Sequence, residues 1–229
     1  MPTTGAMMAR EVNAVPAASL LVLRGTNPFE VLMLLRHERS SFAPGAWVFP
    51  GGMLEDSDVA LASEIGGESE VAAMRIAAVR ETFEETGVWI GRNVTDAETK
   101  RQRLLSGELS FADLHEEAGL DLERLVLTSR WITPEGLPKR FDTWFFVATV
   151  DDETVATPEE REAVEVRWVS PSEALEQNRR GKMPMIFPTL RNLEAIAGFA
   201  RSSDLIDARR GAEIHPIMPV LVNGRPTLL

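Results

Sequence analysis

A chain of 229 residues with 35 acidic against 24 basic side chains carries a formal charge of −11 at pH 7. That balance speaks against a nucleic-acid backbone as partner, because phosphate binding runs on clustered Lys and Arg, and zero cysteines exclude a disulfide framework, a thiolate metal site and a cysteine nucleophile. With 44% apolar and 26% charged residues, the chain reads as globular, and at roughly 150 residues per domain it reads as one large domain.

After a small-residue N-terminal arm, Ala17 to Arg24 and Phe29 to Arg36 are apolar and separated by Gly25-Thr26-Asn27-Pro28, which predicts a strand pair across a turn. A Ser-, Pro- and Gly-containing loop, Ser40 to Gly45, leads to Trp47-Val48-Phe49 and Pro50-Gly51-Gly52. Acidic and small residues from Glu55 to Glu70 read as an irregular insertion. Val71 to Thr86 repeats apolar residues at helical spacing and stops at Gly87, which can take the left-handed C-cap conformation. Val88 to Ile90 reads as a short strand, and Asp96 to Leu105 and Phe111 to Ala118 as two helices. Further strands are expected at Leu125 to Thr133, Phe141 to Val150 and Val164 to Val169. Helices are expected from Ser172 to Asn178 and from Thr189 to Ala200. Asn223-Gly224 between apolar residues predicts a terminal hairpin. No repeat or long linker divides the chain, so the expectation is one α/β domain with a mixed sheet. The longest apolar runs, such as Pro16 to Leu23, fall short of the ~20 residues a spanning helix needs. The N-terminus has no basic stretch followed by an apolar one, so a soluble cytoplasmic protein is expected.

The chemistry concentrates in Arg80-Glu81-Thr82-Phe83-Glu84-Glu85-Thr86-Gly87. Glu81, Glu84 and Glu85 stand at i, i+3 and i+4, so their carboxylates share one helix face. Like charges at these spacings repel by roughly 0.2–0.5 kcal/mol per pair. They also crowd a C-terminal turn that the helix dipole already makes negative. Arg80 offsets part of this through Glu84, but one cation does not balance three acids. Glu70, eleven residues before Glu81, returns to within about 20° of the same face. A divalent cation resolves the conflict, and Mg²⁺ or Mn²⁺ suits an oxygen cluster that keeps positions free for substrate phosphates.

Phe49-Pro50-Gly51-Gly52, Glu55 and Arg80-Glu81-x-x-Glu84-Glu85-x-Gly87 resemble the Nudix box of the Nudix hydrolases. The family pattern runs Gly, five residues, Glu, seven residues, then Arg-Glu-x-x-Glu-Glu-x-Gly. The second half matches at every polar position. In the first half, Gly52 to Arg80 spans 28 positions where the family has about 14, and the family's first glutamate falls on Ala72; Glu68 or Glu70 are the candidates to replace it. The insertion, with Arg36, Gly45 and Phe49-Pro50-Gly51-Gly52, is similar to the coenzyme A diphosphatase branch. His37 and Ser41 depart from that branch's pattern, and Arg39 is the nearby basic residue that can substitute.

The resemblance covers about residues 17–178, the core of a single domain over 1–229 with 179–229 as a helical and tail extension, and implies a Nudix-like α/β/α sandwich with extra helices and hydrolysis of a nucleoside diphosphate linked to another moiety, coenzyme A or an acyl derivative first. ADP-ribose, a dinucleotide or a nucleotide sugar is the alternative substrate class, and a non-catalytic nucleotide-binding domain the alternative function. By the same resemblance Glu81, Glu84 and Glu85 are metal ligands and Arg80 orients a glutamate. The backbone around Gly51 and Gly52 approaches the ligand closely, and the general base is either a box glutamate or one of Glu159, Glu160 and Glu162. Arg36, Arg39 and the basic spot Lys139-Arg140 are candidate phosphate contacts. His37, His115 and His215 show no metal spacing. A small nucleotide-diphosphate substrate is the expected partner, with a homodimer by family analogy through the helices of 96–118 or the tail.

Overall fold

The computed structural model describes residues 12–66, 69–92 and 94–228. The N-terminal arm up to residue 11 and Glu68 lie outside them. Eight strands form a mixed sheet. Its centre is β1 (Val15–Arg24) beside β6 (Phe141–Thr149), which run parallel in register from Val15↔Phe141 to Leu23↔Thr149. β2 (Glu30–Arg36) returns antiparallel to β1, and carries β3 (Trp47–Val48) and β7 (Ala163–Val169). β4 (Gly51–Met53) pairs with β1 from Ala17 to Ser19. Beyond β6 lie β5 (Val126–Ile132) and β8 (Pro216–Ile217), the latter parallel to β5.

The central strands are apolar on both faces, as a sheet covered on both sides requires. Ala18, Leu20 and Val22 of β1 join Trp144, Phe146 and Ala148 of β6 in one core layer, while Leu21, Leu23, Phe145 and Val147 point into the other. The first layer is closed by α1 (Asp56–Glu64), α2 (Glu70–Thr86), α3 (Ala97–Leu105) and α4 (Phe111–Ala118). The second is closed by α5 (Pro171–Arg179), α6 (Phe187–Ile196) and α7 (Ser202–Arg209). The result is the expected α/β/α sandwich with extra helices.

Several expectations need correction. The stretch read as irregular contains α1, whose buried face is only Asp58, Leu61 and Ala62, too narrow to register as a periodic stripe. Val88 to Ile90 is extended chain with no strand partner at those three residues, although Val88 and Ile90 are buried against α2's core layer. α6 starts earlier than expected because Pro188 fits the first helical turn, where a missing N–H costs nothing. α7 and β8 were not expected. The terminal hairpin forms as predicted: β9 (Val220–Val222) and β10 (Arg225–Thr227) pair across Asn223-Gly224. Among the described residues no helix is long and apolar enough to cross a membrane.

Candidate active site

Helix α2 ends with its last four carbonyls all engaged, which answers the dipole problem its sequence poses. Phe83 O accepts from Gly87 N (2.8 Å), with Gly87 at φ 72°, a conformation a β-carbon would disfavour. Glu84 O accepts from Arg101 Nε (2.9 Å). Glu85 O accepts from Glu159 N (2.9 Å) and Thr86 O from Thr157 N (3.0 Å). A helix normally leaves these four groups orphaned. Here α3 supplies a buried guanidinium, 2% exposed, and the loop before β7 supplies two amides. Arg101 Nη1 also donates to Thr157 Oγ1 (3.0 Å), tying α3, α2 and that loop together. α2 has no basic residue in its last turn, so a cation from elsewhere in the chain was the signal to look for; nothing in the local sequence singles out Arg101.

The carboxylates lie on the face of this same turn. Arg80 Nη1 donates to Glu81 Oε1 (2.9 Å) and Glu84 Oε2 (3.2 Å). Its other edge forms a two-point bridge to Asp58, Nε to Oδ1 at 2.9 Å and Nη2 to Oδ2 at 3.0 Å, and Nη2 also donates to Met53 O. Asp58 is 1% exposed, and its Oδ2 accepts the Glu55 N–H as well. Glu55 Oε1 sits 3.8 Å from Arg80 Nη1. The insertion therefore delivers two acids to Arg80, on α1 and at its start, where the family pattern would place one at Ala72.

Glu85 is 4% exposed. Its Oε2 accepts the Gly51 N–H at 2.9 Å, and its Oε1 lies 3.6 Å from Arg36 Nη1. Gly52 gives the Glu81 carboxylate its present position: a β-carbon there would lie 2.4 Å from it and displace it. Burial is the largest influence on all three box glutamates and pushes each upward. Glu81 is raised despite Arg80. Glu84 is pushed to about 7, with Glu81 and Glu55 adding repulsion against the pull of Arg80. Glu85 is pushed to about 8 by burial and by Glu81, with the Gly51 N–H and Arg36 pulling the other way and Glu162 adding a smaller push.

Oxygen donors that burial and mutual repulsion hold against ionisation, despite Arg80 and Arg36, are the chemistry a hard divalent cation fits. Among the described residues no three acidic or imidazole side chains already surround one point. Arg80 Nη1 stands between Glu81 and Glu84 and takes one oxygen of each.

Unfolded carboxyls ionise near 4.5, whereas Glu84 and Glu85 hold their protons to about 7 and about 8. Between those values the unfolded chain binds fewer protons than the folded one, so stability falls as pH rises. Metal-free protein is expected to melt at a lower temperature at pH 8 than at pH 5, and Mg²⁺ to raise the melting temperature more at pH 8. Thermal scans in chelator, with and without Mg²⁺, check this; the same metal response at both pH values would contradict it.

The trio forms part of the wall of a cavity of about 810 Å³ that also takes in Arg36, Gly51, Gly52, Lys139, Arg161 and Glu162. Of the loop acids, Glu162 faces the cavity and lies 3.5 Å from Arg36 Nη2. Glu159 also borders the cavity, but burial's upward push on it is outweighed by Arg161 and two backbone amides, which hold its carboxyl low. Glu160 is outside the lining and offers its carbonyl to His37 Nε2.

Three expected contacts are placed elsewhere. Glu70 begins α2, and its eleven-residue separation amounts to roughly 16 Å of helix. Arg39 is exposed and outside the cavity lining. Arg140 is 8% exposed and is spent on Thr133 O and Val12 O, a structural role; its neighbour Lys139 reaches the cavity.

A mixed sheet between two helical layers, with a glycine turn against an Arg-Glu-x-x-Glu-Glu helix end, defines a Nudix domain. Residues 63–196 match the NUDT19 Nudix domain and residues 14–108 the NUDIX domain, and the chain belongs to the Nudix family, in its NUDT19 Nudix group. It is similar to the putative nudix hydrolase 7 of Caenorhabditis elegans, 30% identical over 188 residues, 79% of this chain and 60% of that protein. It is also similar to the human acyl-coenzyme A diphosphatase NUDT19, 28% identical over 235 residues, 77% of this chain and 63% of that one. The chain thus spans about 60–64% of the length of the curated relatives it matches. Among solved structures, a NUDIX hydrolase from Alicyclobacillus acidocaldarius superposes with a TM-score of 0.76 at 26% identity, over 88% of this chain and 97% of that one.

Proposed function

We propose that this chain, as one Nudix domain from its core to its tail, is a divalent-metal-dependent hydrolase. It cleaves the diphosphate of a nucleoside diphosphate linked to another moiety, with coenzyme A or an acyl-coenzyme A as substrate. The observation that carries the reading is the Glu81, Glu84 and Glu85 trio, Glu85 buried and the other two half-buried, mutually repelling and bordering a cavity large enough for a nucleotide-sized ligand. These three would hold Mg²⁺ or Mn²⁺. Bound there, such an ion would supply charge neutralisation at the diphosphate and lower the pKa of a coordinated water.

The chain's own residues do the rest. Arg80, fixed by Asp58, orients Glu81 and Glu84. Gly51 N–H orients Glu85, and Gly52 leaves room beside Glu81. Arg36 and Lys139 offer positive charge to phosphate oxygens, which an overall acidic protein needs locally. Glu162 is the loop carboxylate best placed to take a proton from the attacking water, because Glu159 is turned onto Arg161 and Glu160 lies outside the cavity. The matched relatives named as acyl-coenzyme A diphosphatases support the substrate choice.

Incubation with Mg²⁺ or Mn²⁺ and a panel of coenzyme A, acyl-coenzyme A, ADP-ribose and dinucleotides tests it. The expected products are 3′,5′-ADP and a phosphopantetheine species. Nucleoside monophosphate from ADP-ribose or a dinucleotide, with coenzyme A derivatives untouched, would move the enzyme to the alternative class. No turnover across the panel would leave a nucleotide-binding domain.

A further inference from the structure

The cavity is chemically two-sided. Its charged lining residues all come from the chain up to Glu162, whereas every lining residue after Glu162 is uncharged, and only Thr189 among them carries a polar side chain. That later part is built from the start of α6 and from the C-terminal segment, facing Trp131 of β5. Trp131 and Phe187 meet edge to face with ring centroids 5.9 Å apart.

The C-terminal hairpin contributes a further apolar surface here. β9 and β10 pair with each other and with no other described strand. Leu221 and Pro226 are direct cross-strand partners, so they share one face, and both line the cavity. Val220 and Val222 alternate to the outer face and are exposed. An isolated two-stranded hairpin is marginal in water, so its inward apolar pair gains from an apolar occupant beneath it. β8, paired to β5 just before it, holds its base in place.

We propose that Leu221 and Pro226 of the hairpin, with Trp131 and Phe187 of the same lining, form a subsite for an aliphatic chain carried by the substrate, continuous with the carboxylate end of the same cavity. A nucleobase placed there would find Thr189 as the one polar side chain among the lining residues after Glu162 for its several ring nitrogens and amino group, a mismatch an aliphatic chain avoids. The inference rests on the diphosphatase reading and deepens it: the hairpin selects acylated over free coenzyme A.

The test is kcat/KM for free coenzyme A, hexanoyl- and decanoyl-coenzyme A with Mg²⁺, in the wild type and in Leu221→Gln, Leu221→Met and Val222→Gln. Each buried methylene is worth up to roughly fourfold, so the decanoyl-to-free ratio is expected to exceed tenfold. Leu221→Gln should cut that ratio at least fivefold, while Leu221→Met and the outward-facing Val222→Gln preserve it. A wild-type ratio near one, or a ratio that Leu221→Gln leaves intact, overturns the subsite while the diphosphatase stands. Failure of all coenzyme A derivatives to turn over overturns both. An equal loss in Leu221→Gln and Val222→Gln also overturns the subsite, because it would mean that the hairpin acts only as a structural cover.

Discussion

On the proposed function, Glu84→Gln and Glu85→Gln are each expected to lower metal-dependent hydrolysis by about 10²- to 10⁴-fold, the scale of losing several kcal/mol of charge stabilisation in the transition state. The substitution is nearly isosteric, so the fold survives while one negative oxygen donor is lost. Glu85→Gln should do more than inactivate. Burial and the nearby Glu81 and Glu162 push the Glu85 carboxyl to about 8, so ionising it in the metal-free protein is costly, and a neutral amide removes that cost. The inactive variant is therefore expected to melt higher than the wild type at pH 8 in chelator, a trade of stability against function. Steady-state kinetics beside thermal scans read both arms. Unchanged turnover in either variant would contradict the catalytic reading of α2.

Arg80→Met is the second large effect, and its main consequence is structural. Asp58, 1% exposed, loses both guanidinium hydrogen bonds at once. Removing one partner of a buried pair typically costs about 3–5 kcal/mol, which for a chain of this size lowers the melting temperature by roughly 6–20 °C. Arg80→Lys keeps the charge but not the two-point fork, and should fall between. Adding Asp58→Asn to Arg80→Met should recover part of the loss, because the stranded charge is gone; a double-mutant cycle measures the coupling. Arg80→Met melting within 2 °C of the wild type would contradict the assignment of Asp58–Arg80 as the strut behind the active-site turn.

The central strands and α2 were legible because continuous apolar runs and a helical repeat ending at glycine leave few alternatives. The box glutamates were legible because their spacing is locally unfavourable, so that local stability alone does not account for it. The supporting residues were not, since their roles are set by tertiary neighbours. Asp58 looks like surface charge in an acidic, small-residue stretch until α1 folds against α2. Arg101 is one cation on a polar helix until it meets the Glu84 carbonyl. Arg140 shows the reverse: a basic residue beside a strand reads as a phosphate contact, yet Thr133 and Val12 carbonyls take its donors. Glu70 shares a helix face with the trio but not its height, which angular arithmetic omits.

Hydrolysis by the proposed route needs a divalent cation seated among Glu81, Glu84 and Glu85, and anomalous diffraction from crystals soaked in Mn²⁺ with a nonhydrolysable diphosphate ligand looks at this directly. A strong anomalous peak within about 2.0–2.5 Å of carboxylate oxygens from this trio is the predicted result. A map with manganese bound elsewhere, or with no peak beside the trio at saturating metal, would contradict it.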